Sequence, residues 1–188
     1  MRPSNRTRIL EAAVRLIDQA GMTAVTFDAV AAEANLTRGG LIYHFPSREA
    51  LLLGIHQFMA DAWEHDMRQA AGGAPDALTP PERHAAYARV SAEGASRALL
   101  LMMLEGAGDS ACAAPWREVN ERWAPPAPDE ALHDRVALDR YVARLASDGL
   151  WLQSTMPESP LSPALRQRIA EHLAALLAGP VDAGPGNG

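Results

Sequence analysis

The chain has 188 residues, a net charge of −6 and a single cysteine, Cys112, which excludes an intramolecular disulfide and a cysteine-based zinc site. Its longest apolar runs, such as residues 98–104, fall far short of the roughly 20 residues a bilayer crossing needs. The N-terminus MRPSNRTRIL lacks the apolar block of a signal peptide, so a cytoplasmic protein with no membrane contact is expected.

The acidic total conceals an asymmetry. Residues 1–48 hold six arginines against four carboxylates, a net +2, which leaves −8 for the remainder. A basic end on an acidic body still presents an attractive field to a polyanion, because salt screens charges beyond about 8–10 Å.

Apolar residues recur near every 3.6 positions and no period-2 run is bounded by turn residues, which predicts an all-α protein. In the first segment Ile9, Ala13, Leu16, Ile17 and Ala20 form one stripe, and Gly21 ends the helix. A second helix of about eight residues begins after Thr26, with Asp28 in its first turn and Phe27, Val30, Ala31 and Ala34 inside. Asn35 and Leu36 make a tight connection to a third helix, capped by Thr37 and stopping near Phe45-Pro46.

That third helix reads RGGLIYHF, and two adjacent glycines in a helix interior cost about 1 kcal/mol each relative to alanine. At 100° per residue Leu41, Ile42 and Phe45 share the inner face, which puts Gly39, Gly40, Tyr43 and His44 outside. The bare backbone thus lies beside two hydrogen-bonding rings, where another molecule can approach closely.

A fourth, long helix starts at Ser47 with Leu51, Leu52, Ile55, Met59, Ala62 and Trp63 inward, and GGAPDALTPP closes it. Further helices are predicted at 82–105, with a break near Glu93-Gly94, at 115–124, at 129–154 and at 163–178. GPVDAGPGNG, residues 179–188, is expected to be a disordered tail.

Three short N-terminal helices, the last two joined by a tight turn, match a helix-turn-helix, whose second helix enters the major groove of DNA. Arg38 can reach a guanine edge or a phosphate, Thr37 offers a hydroxyl and helix-terminal N–H groups, and Tyr43 and His44 can donate to backbone oxygens. Arg48 can add a phosphate contact.

The run from Arg8 to Leu53, above all TFDAVAAEANLTRGGLIYHFPSREALLLG, resembles the DNA-binding domain of the TetR family of bacterial transcriptional regulators. It has the Thr-led second helix, the Thr-Arg-Gly start, the Tyr-His-Phe end and the Pro-Ser-Arg-Glu opening of a long helix. The resemblance implies that Thr26, Thr37, Arg38, Gly40, Tyr43, His44 and Arg48 face double-stranded operator DNA, and Gly39 joins this expected DNA-binding set by its place on the outer face of the helix. Ile42 stands where an aromatic is common, and Gly40 where Ser or Thr often makes a contact.

The resemblance also implies the domain plan: residues 1–47 as the reader, 48–178 as a helical effector-binding and dimerisation domain, and 179–188 as the tail. The homodimer is expected through the helices near 129–154 and 163–178, where Tyr141, Leu145, Gly149 and Leu152, and Leu165, Ile169, Leu173 and Leu176, form apolar stripes. A small apolar or amphipathic effector is expected against Trp63, Met103, Trp116 and Trp123, of which Trp116 and Trp123 are seven apart on one short helix.

No histidine pair stands at i, i+4 beside a carboxylate, so no metal site is expected. With no nucleophile beside a base and no glycine-rich phosphate loop, neither catalysis nor a cofactor is expected. The expected function is a ligand-responsive repressor. Its alternatives are a sequence-insensitive DNA-coating protein and, further off, an enzyme or carrier with a helical-bundle pocket.

Overall fold

The computed structural model describes residues 4–127, 134–156 and 161–179, and these contain nine α-helices and no strand. They divide into two compact units, residues 1–62 with 96–117, and residues 63–95 with 118–188. The predicted tail beyond Gly179, and the predicted helical residues 129–133, lie outside the described residues.

In the first unit α1 (Asn5–Ala20) is capped by Ser4, whose hydroxyl accepts from the Thr7 N–H at 3.1 Å. It buries Ile9, Leu10, Ala12, Ala13 and Ile17; Ala20 is exposed and Leu16 only half-buried, which narrows the predicted stripe at its C-terminal end. Helix α2 (Phe27–Glu33) ends at Asn35, the one non-glycine residue with positive φ among those described, at 54°. Asparagine tolerates that left-handed geometry. The Leu36 N–H then reaches back to the Ala31 carbonyl at 2.9 Å, and the Arg8 guanidinium donates to the Ala34 carbonyl at 2.7 Å.

Helix α3 (Arg38–His44) sinks Leu41 and, just beyond its end, Phe45. Ile42, predicted inside, is 39% exposed. On a seven-residue helix one i, i+4 pair is enough to fill the contact with α1 and α2, and a residue 100° further round falls off its edge. Helix α4 (Arg48–Ala71) starts under Ser47, which accepts from the Ala50 N–H at 3.2 Å. Gly54 allows the Phe45 ring to lie against α4, since a Cβ there would stand 2.5 Å from Phe45 Cε1.

The predicted 82–105 segment is two helices, α5 (Pro80–Val90) and α6 (Arg97–Gly106), parted at Gly94, whose φ is +79°. The N-terminus of α6 is tied to α1: the Asp18 carboxylate accepts from the Ala98 N–H at 2.8 Å, and Arg97 donates to the Asp18 carbonyl at 3.1 Å. Helix α7 (Ser110–Trp123) begins five residues before the predicted 115. Asp109 accepts from the N–H groups of Ala111 and Cys112, so the first turn is capped, and Pro115 one turn in removes a single ladder bond.

The second unit packs α5 against α8 (Arg135–Gln153) and α9 (Pro163–Ala178) around Ala85, Ala88, Ala143, Leu150, Ala170, Leu173, Ala174 and Leu177. Alanines at the crossing let the backbones approach closely. The predicted α9 stripe divides: Leu173 is core, whereas Leu165 and Leu176 point outward. On α8 the outward apolar residues are Val136, Leu138, Val142, Leu145, Ala146, Gly149 and Leu152, followed by Met156 just past the helix. Among the described residues no helix is long and apolar enough to cross a membrane.

Candidate nucleic-acid interface and effector residues

The local sequence of α2 and α3 determines what their outer side offers. Thr26 and Thr37 cap the two helices, their hydroxyl oxygens accepting from the Ala29 and Gly40 N–H groups, each at 3.1 Å. Both threonines remain exposed, so each hydroxyl hydrogen is available to a phosphate oxygen. Tyr43 is 85% exposed, with the His44 ring edge-on to it at 5.1 Å between centroids. A phenol held this far out of the core has no packing role.

The two glycines differ. A Cβ at Gly39 would meet nothing within 4 Å, whereas one at Gly40 would stand 3.3 Å from Thr37 Oγ1. Gly39 is bare on the solvent side; Gly40 also makes room for the cap. Two arginines have partners of their own. Arg38 donates to the Asp28 carboxylate across the turn, and Arg48 donates to the Val25 carbonyl at 2.6 Å. Arg48 therefore ties the start of α4 to the entry of α2 from an exposed position.

The four predicted effector residues divide between the units: Met103 and Trp116 in the first, Trp63 and Trp123 in the second. Trp116 and Trp123, seven apart on α7, are both buried. Trp116 donates through Nε1 to His56 Nδ1 at 2.9 Å. Trp123 donates to Glu64 at 3.0 Å, and Arg122 holds the same carboxylate with two bonds of 2.9 Å. Trp63 is half-buried with its ring 5.9 Å from Tyr87, and Met103 is half-buried on α6. A cleft of about 470 Å³ in the second unit is lined by Asp66, Gln69, Ala70, Arg89, Val90, Glu93 and Gln167, none of the four.

Residues 9–55, which carry the capped helix pair, match the bacterial regulatory proteins of the tetR family, and residues 82–178 match the tetracyclin repressor-like C-terminal domain. The second match alone spans more than half of the chain. The chain belongs to the TetR family. Solved structures agree in fold. A TetR-family transcriptional regulator from Rhodococcus sp. superposes with a TM-score of 0.63 at 17% identity, covering 93% of this chain and 98% of the other. The multidrug binding protein EbrR complexed with malachite green gives 0.60 at 22%, covering 91% and 98%. A TetR-family member from Streptomyces coelicolor A3 gives 0.58 at 22%, also covering 91% and 98%. No curated protein matches the sequence significantly.

TetR-family membership makes the chain a transcriptional regulator, with a helix-turn-helix DNA-binding domain followed by a helical domain. Several of its structural residues were not singled out in the sequence. His56, one of the scattered histidines, is only 1% exposed. Because Nδ1 accepts from Trp116, the ring proton sits on Nε2, which is buried without a hydrogen-bond partner. Burial pulls the imidazole pKa down, against the opposing pull of Asp109 and Glu105. Gly106 has no side chain because the imidazole occupies that space, 2.6 Å from where a Cβ would stand. Asp18 and Glu64 likewise bind partners 80 and about 60 residues away in sequence, which no local pattern signals.

Proposed function

We infer that this TetR-family regulator is a ligand-responsive repressor that binds a pseudo-palindromic operator as a homodimer, acts in the cytoplasm and is released by a small apolar or amphipathic effector. The observation that carries the DNA reading is the outer side of α3. A seven-residue helix whose exposed surface is led by an arginine, open glycine backbone and an 85% exposed tyrosine, with Ile42 at 39% the one aliphatic member, has the chemistry of a groove-entering element.

In this reading residues 1–47 bind DNA and residues 48–178 sense and dimerise. Thr26, Thr37 and Arg48 bind phosphates, Tyr43 and His44 donate to backbone oxygens, Gly39 and Gly40 admit the DNA closely, and Arg38 reads a base. Dimerisation uses the outward stripe Leu138, Val142, Leu145, Gly149 and Leu152 of α8, whose 4-3-4-3 spacing is that of a helix seam, together with Met156 just past the helix and Leu165 and Leu176 of α9.

The effector contacts Trp63, Met103, Trp116 and Trp123. It acts by preferring a state in which the two recognition helices no longer match successive major grooves, roughly 34–36 Å apart. The Asp18 contact to α6 supplies a direct link from the effector-side helices to α1. Such coupling typically changes operator affinity about 5- to 150-fold.

The test is fluorescence anisotropy against labelled DNA flanking the protein's own gene, with random DNA as control, over several salt concentrations. Specific binding that weakens steeply with salt supports the reading, and ethidium, malachite green and proflavin, found bound to EbrR, are the first probes for release. Binding with no preference over random DNA, on that fragment and on a random-sequence library alike, would overturn it in favour of a DNA-coating protein.

A further inference from the structure

Arg38 opens α3, and Asp28 stands in the first turn of α2. Arg38 Nη1 donates to both Asp28 carboxylate oxygens, at 3.1 and 3.0 Å, although the two side chains are 60% and 71% exposed. An ion pair this exposed adds little to folding. A carboxylate on a surface that meets a polyanion is also electrostatically unfavourable there. Support for the N-terminus of α2 accounts for Asp28 but not for its hold on Arg38.

The bond pattern gives the pair a different use. A free arginine at a helix start swings to the nearest phosphate, and phosphates carry no sequence information. With Nη1 engaged by Asp28, the guanidinium plane is held, and Nε with Nη2 remain as a fork. That fork matches the two acceptors, O6 and N7, that guanine alone presents in the major groove.

We propose that Asp28 is a positioning residue that turns Arg38 from a phosphate anchor into the reader of one guanine in each half-site. Its negative charge also opposes a phosphate taking the guanidinium away, so loose backbone binding is penalised and the correct base is not. The proposal rests on the DNA-binding reading above.

The experiment is selection of bound sequences from a random DNA library by the full-length protein, by Asp28→Asn and Asp28→Ala, by Arg38→Ala and by the double variant, with melting curves confirming that each folds. The wild type is expected to enrich a motif containing a guanine that Arg38→Ala no longer requires. Arg38→Ala should reduce discrimination at that base pair by roughly 5- to 150-fold, the range for one bidentate contact, and Asp28→Ala, with Asp28→Asn weaker still, by up to about 5-fold, the worth of one exposed ion pair. Affinity for random DNA should rise, and the logarithmic salt dependence should steepen by about one phosphate per subunit. Adding Asp28→Ala to Arg38→Ala should change nothing further at that position.

A motif retained unaltered by folded Asp28→Ala, or Asp28 and Arg38 effects that simply add, would overturn the proposal while leaving the regulator reading intact. A wild type that enriches no motif at all would overturn both.

Discussion

Helices α3 and α8 both leave large side chains in water, and in the reading proposed above they do so for opposite partners. On α3 the exposed set is Arg38, Gly39, Ile42 and Tyr43; apart from Ile42, at 39%, these groups donate hydrogen bonds or remove bulk. On α8 Val142 and Leu145 are 54% and 53% exposed, within an aliphatic run at helical-seam spacing. Exposure alone is therefore uninformative; the chemistry of the exposed row is what supports the partner proposed for it. A polyanion calls for donors and close approach, and a second copy of the chain calls for apolar area removed from water.

The largest expected effect falls on α3. Replacing Tyr43 and His44 together with alanine should reduce operator affinity by at least about 10²-fold, since a hydrogen bond to a charged group is worth about 1.5–3 kcal/mol. Circular dichroism and the oligomeric state should not change, because Tyr43 packs against nothing in the core. Tight, specific binding by this variant would remove the distinction between the two helices.

The corresponding change on α8 is Leu145→Asp. Across a two-fold axis it places like charges in an apolar seam, and sedimentation should show the dimer dissociating, at a cost of several kcal/mol, on the order of one uncompensated buried charge per copy. Monomer melting should shift little, since Leu145 is outside the subunit core. An unchanged dimer would mean the stripe is not the seam.

Much of α3 was readable in advance because its determinants are local. Thr37 caps a residue three positions on, Asn35 supplies the left-handed turn, and Leu41 with Phe45 is one i, i+4 pair. The second unit was less readable because its core is built largely of alanine. Sequence periodicity weights large apolar residues, so Leu173, which faces inward, was grouped with Leu165 and Leu176, which do not. The start of α7 was missed because Pro115 reads as a breaker, while the Asp109 cap that rescues the preceding turn lies in the predicted linker. His56 with Trp116 and Glu64 with Arg122 are tertiary pairs, and no spacing rule finds them.

The inner side of α8 sharpens the contrast in another way. His84, on α5, is pulled down to about 4 by burial, reinforced by Arg83 and by Arg140 and Arg144 of α8. In the unfolded chain its pKa is about 6.5, so that chain takes up the proton first as pH falls. Folding stability should be full above about pH 6.5 and decline towards pH 4, by on the order of 1–3 kcal/mol. His56, lowered by its own burial, adds in the same direction. Denaturant melts of the wild type and His84→Asn across that window test this. An equally steep decline in the variant would assign the loss elsewhere.

The smallest expected effect discriminates best, because it moves two observables in opposite directions. Gly39 lies in a helix, has no positive φ, and a Cβ there meets nothing within 4 Å. Gly39→Ala should therefore raise folding stability by up to about 1 kcal/mol. If DNA lies against that backbone, the same methyl should weaken operator binding, although the free protein has become more stable. Gly40→Ala is a poorer probe, because its methyl would crowd Thr37 Oγ1 at 3.3 Å and disturb the cap and the interface together. A Gly39→Ala variant that melts higher and binds the operator as well as before would show that the bare backbone is not there for DNA, and the glycine would then have no role that this surface explains.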